Sequence, residues 1–408
     1  MNVFIISGRG LSFFETVFNG NSEITINLIA SKSELLKCSE DILSKFNNIF
    51  EVEETYNLAT RVFEFKVDAI LNILKDYTEI KIVCIREENL DISASIRDSL
   101  QINTGMNSRQ MEKFRDKILM KKILSNLGIK IPKFVTYNYQ QTNSYSKIKA
   151  ILGYSFIAKP IFSLGSKGVF KIKNNNDFEK FAISYKEKFN NCPFELEEFI
   201  ELPLFHVDVI MQNGISLFAK ASEYTCPVAD FFEGKIFGTI PIINNEVISK
   251  SLIDFSLRVI EAFGNLDAVY HVELFYNAEN DECIFLEIAA RPSGYTWPQV
   301  LKETFGVNLY DAHFMIQTGI QLKNINNDNK TDFASCFLIP NTMRRIKKIT
   351  TPKLKSIFTI NWHIIEGAES NENNLDFSGV VMMKNKNYKD LYYDFNYLKN
   401  EYAPFEYE

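Results

Sequence analysis

The stretch from Tyr270 to Ile288 constrains the fold of this chain more than any other part of its sequence. Two apolar runs flank the short polar turn Asn277–Glu282, and this pattern predicts a β-hairpin. A hairpin that closes about Asn280 sets Glu273 directly opposite Glu287. Opposed side chains in such a strand pair lie about 4.5–5.5 Å apart at Cβ. The sequence therefore predicts two neighbouring carboxylates, each among apolar residues.

Two carboxylates in this setting repel each other and lose hydration, so a cation or a shared proton must offset the cost. Magnesium, or manganese in its place, fits because Mg²⁺ prefers carboxylates together with substrate phosphates. Glu273 and Glu287 are therefore candidate metal ligands. The alternative is that one or both side chains face solvent on a half-exposed sheet.

Arg291 follows the second glutamate by four residues and precedes Pro292, Ser293 and Gly294. A guanidinium at this point could reach a transferred phosphate, because arginine stays charged and grips two oxygens at once. A surface salt bridge would explain the same residue without a catalytic role.

A glycine-containing loop upstream has the composition of a phosphate-binding flap. It runs from Ser163 to Gly168, includes Gly165 and Ser166, and follows a strand that ends near Lys159. Glycine permits backbone shapes that point successive N–H groups at an anion. A buried lysine is rare unless paired, and a phosphate would pair Lys159. The spacing is not that of a P-loop, and an ordinary hairpin loop is the alternative.

A helix before this loop supplies a second lysine. Ser108 can cap the helix, and apolar residues from Met111 to Leu127 recur at helical spacing up to Gly128. Lys117 lies on or beside the apolar face. It is either a phosphate ligand or an ordinary lysine on a helix surface.

The strand that contains Glu197, Glu198, Phe199 and Ile200 is a candidate adenine site. Backbone groups there could recognise the base, while Phe199 and Ile200, or Phe275, hold its ring. An ordinary edge strand is the alternative interpretation.

The 408-residue chain has an ordinary globular composition, and a chain of this length usually folds as two or three domains. Its net charge of −6 disfavours nucleic acid as a partner, because nucleic-acid phosphates are bound by clustered Lys and Arg. No apolar run approaches the roughly 20 residues of a membrane span, and the N-terminus resembles a strand rather than a signal peptide. Six scattered cysteines without a C-x-x-C pair favour a reducing cytoplasm.

The local signals divide the chain into three predicted domains. Residues 1–105 alternate strand and helix signals, which is typical of an α/β domain with a mostly parallel sheet. Residues 106–323 hold all the candidate site residues, with the flap-bearing lobe at about 130–195. The polar, Asn-rich segment Asn324–Asp332 begins a C-terminal domain, residues 324–408.

The order of these signals resembles the ATP-grasp superfamily, which includes biotin carboxylase and D-alanine ligases. The order is a lysine on a helix, a lysine on a strand, a Gly/Ser flap, a Glu-Glu-Phe-Ile strand, a His-x-Glu strand and then Glu-x-x-x-Arg. The resemblance covers roughly Ser108 to Lys323. Bacterial L-amino-acid ligases and carnosine-synthase-like enzymes share the strand with His271 and Glu273 and the Glu-x-Ala-Ala-Arg-Pro-x-Gly stretch, Glu287–Gly294. The resemblance implies an α/β fold with an α+β central part. An ATP-grasp domain would lie between an N-terminal pre-ATP-grasp domain and a small C-terminal lobe.

The resemblance also implies a role for each candidate residue, with ATP and Mg²⁺ as the cofactors. Lys117 and Lys159 would bind the phosphates of ATP under the Ser163–Gly168 flap, and Glu197 to Ile200 would bind adenine. Glu273 and Glu287 would bind magnesium, and Arg291 would stabilise the transition state. His271 and Tyr295 would bind the substrate.

The sequence departs from the family pattern at two places. Ala289 stands where many ATP-grasp enzymes have an Asn, so a second magnesium would have to be held differently. Leu204 stands near the position of a ribose-binding Glu, and Asp208 or His206 is a candidate substitute.

The activity implied is an ATP-dependent carboxylate–amine ligase. It would form an amide or peptide bond between small, amino-acid-like substrates through an acyl phosphate. The alternatives are an ATP-grasp enzyme with a carrier-protein acceptor or bicarbonate, or a non-catalytic nucleotide-binding subunit. Ligases of this kind are often dimers, so a homodimer is expected.

Overall fold

A computed structural model gives the architecture of most of the chain. It describes residues 1–7, 10–14, 17, 23–57, 62–137, 144–162, 168–189, 192–323, 325, 332–342, 344–369 and 377–408. The strands are β1 (Asn2–Ile6), β2 (Thr25–Ala30), β3 (Asn48–Glu51), β4 (Glu54–Asn57), β5 (Val62–Phe65), β6 (Ile80–Cys84), β7 (Phe134–Tyr137), β8 (Phe156–Pro160), β9 (Phe170–Ile172), β10 (Phe194–Glu198), β11 (Leu204–Gln212), β12 (Ile215–Tyr224), β13 (Phe237–Pro241), β14 (Ala268–Asn277), β15 (Glu282–Ala289), β16 (Phe333–Pro340), β17 (Ile346–Ile349), β18 (Ile357–Trp362), β19 (Phe377–Asn385) and β20 (Phe405–Tyr407).

Helices connect these strands and cover the sheets. They are α1 (Lys32–Leu35), α2 (Glu40–Leu43), α3 (Val67–Leu74), α4 (Leu90–Ser99), α5 (Ser108–Glu112), α6 (Lys117–Asn126), α7 (Tyr145–Leu152), α8 (Asn175–Lys188), α9 (Val228–Phe231), α10 (Glu246–Phe263), α11 (Trp297–Phe305), α12 (Leu309–Thr318) and α13 (Tyr388–Asn400). Among the described residues, no helix is both long enough and apolar enough to cross a membrane.

The N-terminal part contains a four-stranded parallel sheet in the order β3-β2-β1-β6. Parallel strands need crossover connections, and the alternating strand and helix signals of the sequence supply them. The carboxyl end of β6 leads into Glu87, which contacts the site described below.

A second, smaller sheet forms the flap-bearing lobe in the order β7-β10-β8-β9. One core joins this sheet to α7 and α8 through aromatic residues such as Phe156, Phe178, Phe181 and Phe194. The sheet thereby fixes the strand end that carries Lys159.

The largest sheet has eight antiparallel strands in the order β15-β14-β11-β12-β13-β16-β19-β18. The apolar face of α10 packs against β11, β14 and β15, and the same core continues into the N-terminal part. Strands β16, β18 and β19 come from the segment predicted as a separate C-terminal domain, yet they extend the central sheet. The three-domain division of the sequence remains a prediction.

The lysine-bearing helix predicted from Ser108 to Leu127 is two helices rather than one. Asn107, not Ser108, caps α5 in a capping box. Asp116 then caps α6 by accepting hydrogen bonds from two backbone N–H groups of its first turn. The break makes Lys117 the first residue of α6, where its side chain is almost fully buried.

Candidate active site

The hairpin of β14 and β15 brings the two predicted carboxylates together. Glu273 pairs with Glu287, which confirms the predicted opposition. Nearer the turn, Leu274 pairs with Phe285 instead of the Leu286 that closure about Asn280 predicts, so Leu286 is an extra residue in a β-bulge. Strict alternation from the core residue Phe285 would turn Glu287 into the core. The bulge turns Glu287 into the site.

A first cleft lies between the flap-bearing lobe and the central sheet, with about 850 Å³ of space between protein atoms. Two buried lysines line it: Lys117 Nζ lies 3.1 Å from Glu287 Oε1, and Lys159 Nζ lies 2.7 Å from Glu197 Oε1. The sequence-predicted residues that line this cleft are Lys117, Lys159, Glu197, Glu198, Phe199, Ile200, Glu273, Phe275 and Glu287.

Lys159 belongs to a cluster of buried charged side chains. Lys121, on α6, forms ion pairs with both Glu195 and Glu197 of β10. Burial would lower the pKa of Lys159, but the carboxylates of Glu197 and Glu195 raise it above its ordinary value. Burial would raise the pKa of Glu197, but Lys121 and Lys159 lower it to about 2. These contacts favour the charged forms of Lys159 and Glu197.

A second cleft, of about 670 Å³, adjoins the first on the far side of the glutamate pair. Glu273, Glu287 and Val228 line both clefts. The other predicted residues that line the second cleft are His271, Arg291 and Tyr295, and they are accompanied by Glu87, Tyr224, Phe237, Ala289, Gly294 and Trp297.

Arg291 is held by the N-terminal part of the chain. Its Nε lies 2.9 Å from Glu87 Oε2, its Nη2 contacts the same oxygen, and its Nη1 donates to the carbonyl of Pro292 at 2.8 Å. Arg115 Nη1 also donates to Glu87, at 2.8 Å. Burial would raise the pKa of Glu87, but Arg291 and Arg115 lower it to about 2.

A buried histidine network lies behind Glu273. Both oxygens of Asp208 accept hydrogen bonds, one from His206 Nδ1 at 2.8 Å and one from His271 Nδ1 at 3.0 Å. His271 Nε2 lies 3.2 Å from the Tyr224 hydroxyl and 3.4 Å from Glu273 Oε1. Burial would lower the pKa of His271, but Asp208 and Glu273 raise it to about 9. These carboxylates favour the protonated form of His271, whose charge would stabilise that of Glu273.

The suggestion that Asp208 or His206 takes the ribose needs correction. Both side chains are fully buried, bond to each other, and do not line the first cleft. The reason is position along the strand: alternation gives them the same face of β11 as Leu204, which lines the first cleft, but they lie further along it, where they contact Thr239 and His271.

The flap can be followed only in part. Ser163, Gly165 and Ser166 lie outside the described residues. Gly168 has a φ of 77°, and a Cβ at this position would lie 2.8 Å from the Phe189 ring, so both the conformation and the packing require glycine. Tyr295 in the second cleft also has a positive φ, of 55°, which is unusual for an aromatic residue.

Four contributors to the site were not predicted from the sequence. Glu87 and Tyr224 come from distant segments and have no local motif. Lys121 follows Lys117 by one helical turn, and this spacing is the one signal that could have indicated it. Asp230 lines the first cleft from α9.

The glutamate pair fits a magnesium ion by its chemistry. Glu273 and Glu287 offer hard oxygen donors at the junction of the clefts, next to lysines suited to phosphate. Ala289 also lines the second cleft but offers no ligand atom, so a further metal would need other donors.

Residues 114–295 match the family model of an ATP-grasp domain. The fold and this match define an ATP-grasp domain within the chain, and the homologues and structural neighbours of the chain are ATP-grasp ligases, ADP-forming enzymes that make carbon–nitrogen bonds. The fold class and the resemblance predicted from the sequence are thereby confirmed.

Individual proteins resemble the chain along most of its length. The L-arginine-specific L-amino acid ligase of Bacillus subtilis is 24% identical over 311 residues, which are 75% of this chain and 72% of that one. The crystal structure of an L-amino acid ligase from Bacillus licheniformis shares the fold with a TM-score of 0.73 at 16% identity, over 98% of this chain and 97% of that one. A carboxyaminoimidazole ribonucleotide synthase from Aspergillus clavatus, complexed with ATP, has a TM-score of 0.72 at 13% identity, over 97% of each chain.

Proposed function

We propose that this protein joins the carboxyl group of one amino-acid-like substrate to the amine of another through an acyl phosphate, with release of ADP and phosphate. The observation that carries the proposal is the Glu273–Glu287 pair, which lines both clefts at their junction. A nucleotide in the first cleft and a carboxylate substrate in the second would meet there.

The first step moves the γ-phosphoryl group of ATP to the substrate. A carboxylate oxygen attacks the γ-phosphorus, the bond from that phosphorus to the β–γ bridging oxygen breaks, and ADP leaves. Lys117 and Lys159 stand where they would balance phosphate charge, and Glu273 and Glu287 would hold Mg²⁺. When bound, this ion would neutralise phosphate charge.

Arg291 would act from the second cleft. Three of the five guanidinium N–H groups are engaged by Glu87 and Pro292, and the side chain lines the cleft next to the glutamates. Its charge would stabilise the transferring phosphoryl group. In the second step the amine attacks the acyl carbon, the bond from that carbon to the phosphate oxygen breaks, and the proton lost by the amine ends on the released phosphate.

The second cleft supports a small amino-acid-like substrate. Arg291 and a protonated His271 would supply positive charge that suits a carboxylate, and Tyr224, Tyr295 and Trp297 supply aromatic surface. The similarity to L-amino acid ligases agrees with this substrate class.

ADP release from the purified full chain tests the proposal. We expect release with ATP, Mg²⁺ and a pair of amino acids, and much less with either amino acid alone. Release that needs a carrier protein or bicarbonate instead would support those alternatives. No release with any of these would favour a non-catalytic nucleotide-binding subunit.

We further propose that the protein works in a reducing cytoplasm, since none of its six cysteines, which all lie among the described residues, forms a disulfide. A homodimer is the expected assembly, which sedimentation of the purified protein would test.

A further inference from the structure

We propose that Asp230 binds the ribose of the nucleotide by accepting hydrogen bonds from its 2′- and 3′-hydroxyl groups. The inference rests on the part of the proposed function that places a nucleotide in the first cleft. A vicinal diol presents two O–H donors, and a carboxylate is an acceptor-only group that can take both. Hydrogen bonds to an ionised acceptor are also the stronger ones.

The position of Asp230 along the cleft supports this role. Val228 of helix α9 lines both clefts, whereas Asp230 lines the first cleft and not the second. Asp230 thus lies two residues from Val228 at the glutamate junction, on a wall that belongs to the first cleft only. The candidate adenine segment, with Phe199 and Ile200, lines the same cleft. Ribose lies between the phosphates and the base in a nucleotide, so a wall residue in this stretch is placed to meet it.

The other four acidic residues that line the first cleft are engaged elsewhere. Glu197 pairs with two buried lysines, and Glu198 accepts a hydrogen bond from the Lys133 backbone at 3.2 Å. Glu273 contacts His271 and Tyr224, while Glu287 contacts Lys117. Both of these last two acids also stand at the junction, where the phosphates are expected.

Asp230 is held in place but keeps acceptor capacity. Its Oδ2 accepts a hydrogen bond from Lys235 Nζ at 2.7 Å. The Lys235 side chain is 63% exposed, whereas that of Asp230 is 12% exposed. This ion pair therefore reaches Asp230 from the solvent side and can orient the carboxylate. Leu204 lines the same cleft, but its side chain offers no acceptor.

Binding of nucleotide analogues tests the proposal without relying on turnover. Calorimetric titration would compare ADP, 2′-deoxy-ADP and 3′-deoxy-ADP on the wild-type chain and on Asp230→Ala. For the wild type we expect each deoxy analogue to bind about tenfold more weakly than ADP, as loss of a hydrogen bond to a charged group predicts. For Asp230→Ala we expect the three nucleotides to bind within about twofold of one another.

Two further variants keep the result interpretable. Asp230→Asn preserves the shape of the side chain and guards against a folding defect in the alanine variant, and it should reduce the discrimination in the same direction. Glu233→Gln removes an exposed acid three residues away and should keep the wild-type ratios. The proposal is overturned if Asp230→Ala discriminates as the wild type does, or if the wild type fails to discriminate. A chain that binds ADP with these ratios but forms no amide would contradict the ligase proposal alone.

Discussion

Lys117 and Glu287 show how single charges are held in this site. Each lies on a different element, and they meet at 3.1 Å at the junction of the two clefts. Their pairing offsets the cost of burying the lysine. A nucleotide phosphate bound here would compete with Glu287 for Lys117.

Glu287→Gln should reduce ADP release at least about a hundredfold, because the amide lacks the charge needed to hold a divalent ion beside phosphate. Steady-state ADP release at saturating ATP measures the effect. Glu282→Gln is a matched control, since Glu282 lies on the same strand and pairs with the half-exposed Lys130. It should keep most of the activity, and equal losses in the two variants would contradict the assignment.

Lys121→Met should lower the free energy of unfolding by about 3–5 kcal/mol, because it leaves Glu195 and Glu197 buried with one lysine instead of two. Equilibrium urea unfolding measures the change. Adding Glu195→Gln to this variant should recover part of the loss, since it removes the unbalanced charge. Losses that simply add would mean that the two residues do not interact.

Among the structural elements, the break between α5 and α6 is the one that positions Lys117. The sequence predicts a single helix here because apolar spacing continues across the break. The helix nevertheless restarts at Asp116, whose side chain caps α6. Apolar periodicity indicates which side of a helix faces the core. It does not reveal a point at which one helix ends and the next begins with the same side toward the core.

Asp116→Ala should destabilise the chain by about 0.5–2 kcal/mol and raise the KM for ATP, because the freed first turn no longer fixes Lys117. Asn107→Ala removes the cap of α5 at a similar cost in stability and should leave the KM near its wild-type value. Urea unfolding and ADP-release kinetics on both variants separate the two effects. A similar rise in KM in both would show that the cap acts through general stability.

The hairpin of β14 and β15 shows what local sequence could and could not predict. Alternating apolar residues and the polar turn predicted the hairpin and the opposition of Glu273 to Glu287, and both are confirmed. The bulge at Leu286 was not predicted, because a bulge changes pairing without changing composition. The bulge sets the face of the sheet on which Glu287 lies. Whether Glu287 faces the site or the core therefore depends on a feature that has no signal in the sequence.

Across the whole molecule, Glu87 links the N-terminal part to the site. It follows the parallel sheet and contacts Arg291 beyond β15 and Arg115 between α5 and α6. The sequence indicated the separate parts but not this link, since residues 87, 115 and 291 meet only in the folded chain. The same holds for the extension of the central sheet by β16, β18 and β19.

This link should make stability sensitive to acid. The pKa of Glu87 is lowered from its ordinary 4.5 to about 2, so its contribution is present above pH 4.5 and is lost as pH falls toward 2. The difference in free energy of unfolding between wild type and Glu87→Gln should therefore be largest above pH 4.5 and shrink below it. Urea unfolding from pH 6 to 2.5 measures this difference. Glu79→Gln, at an exposed pair with the N-terminus, should show a small difference at every pH.

The acyl phosphate is the central claim, and oxygen transfer tests it most directly. The full chain would be incubated with ATP, Mg²⁺, an amine substrate and an amino acid labelled with ¹⁸O in its carboxyl group. Mass spectrometry of the phosphate released should find one ¹⁸O atom for each amide formed, because the carboxylate oxygen that attacks the γ-phosphorus leaves with the phosphate. Label in AMP, or amide formation without label in phosphate, would contradict the account.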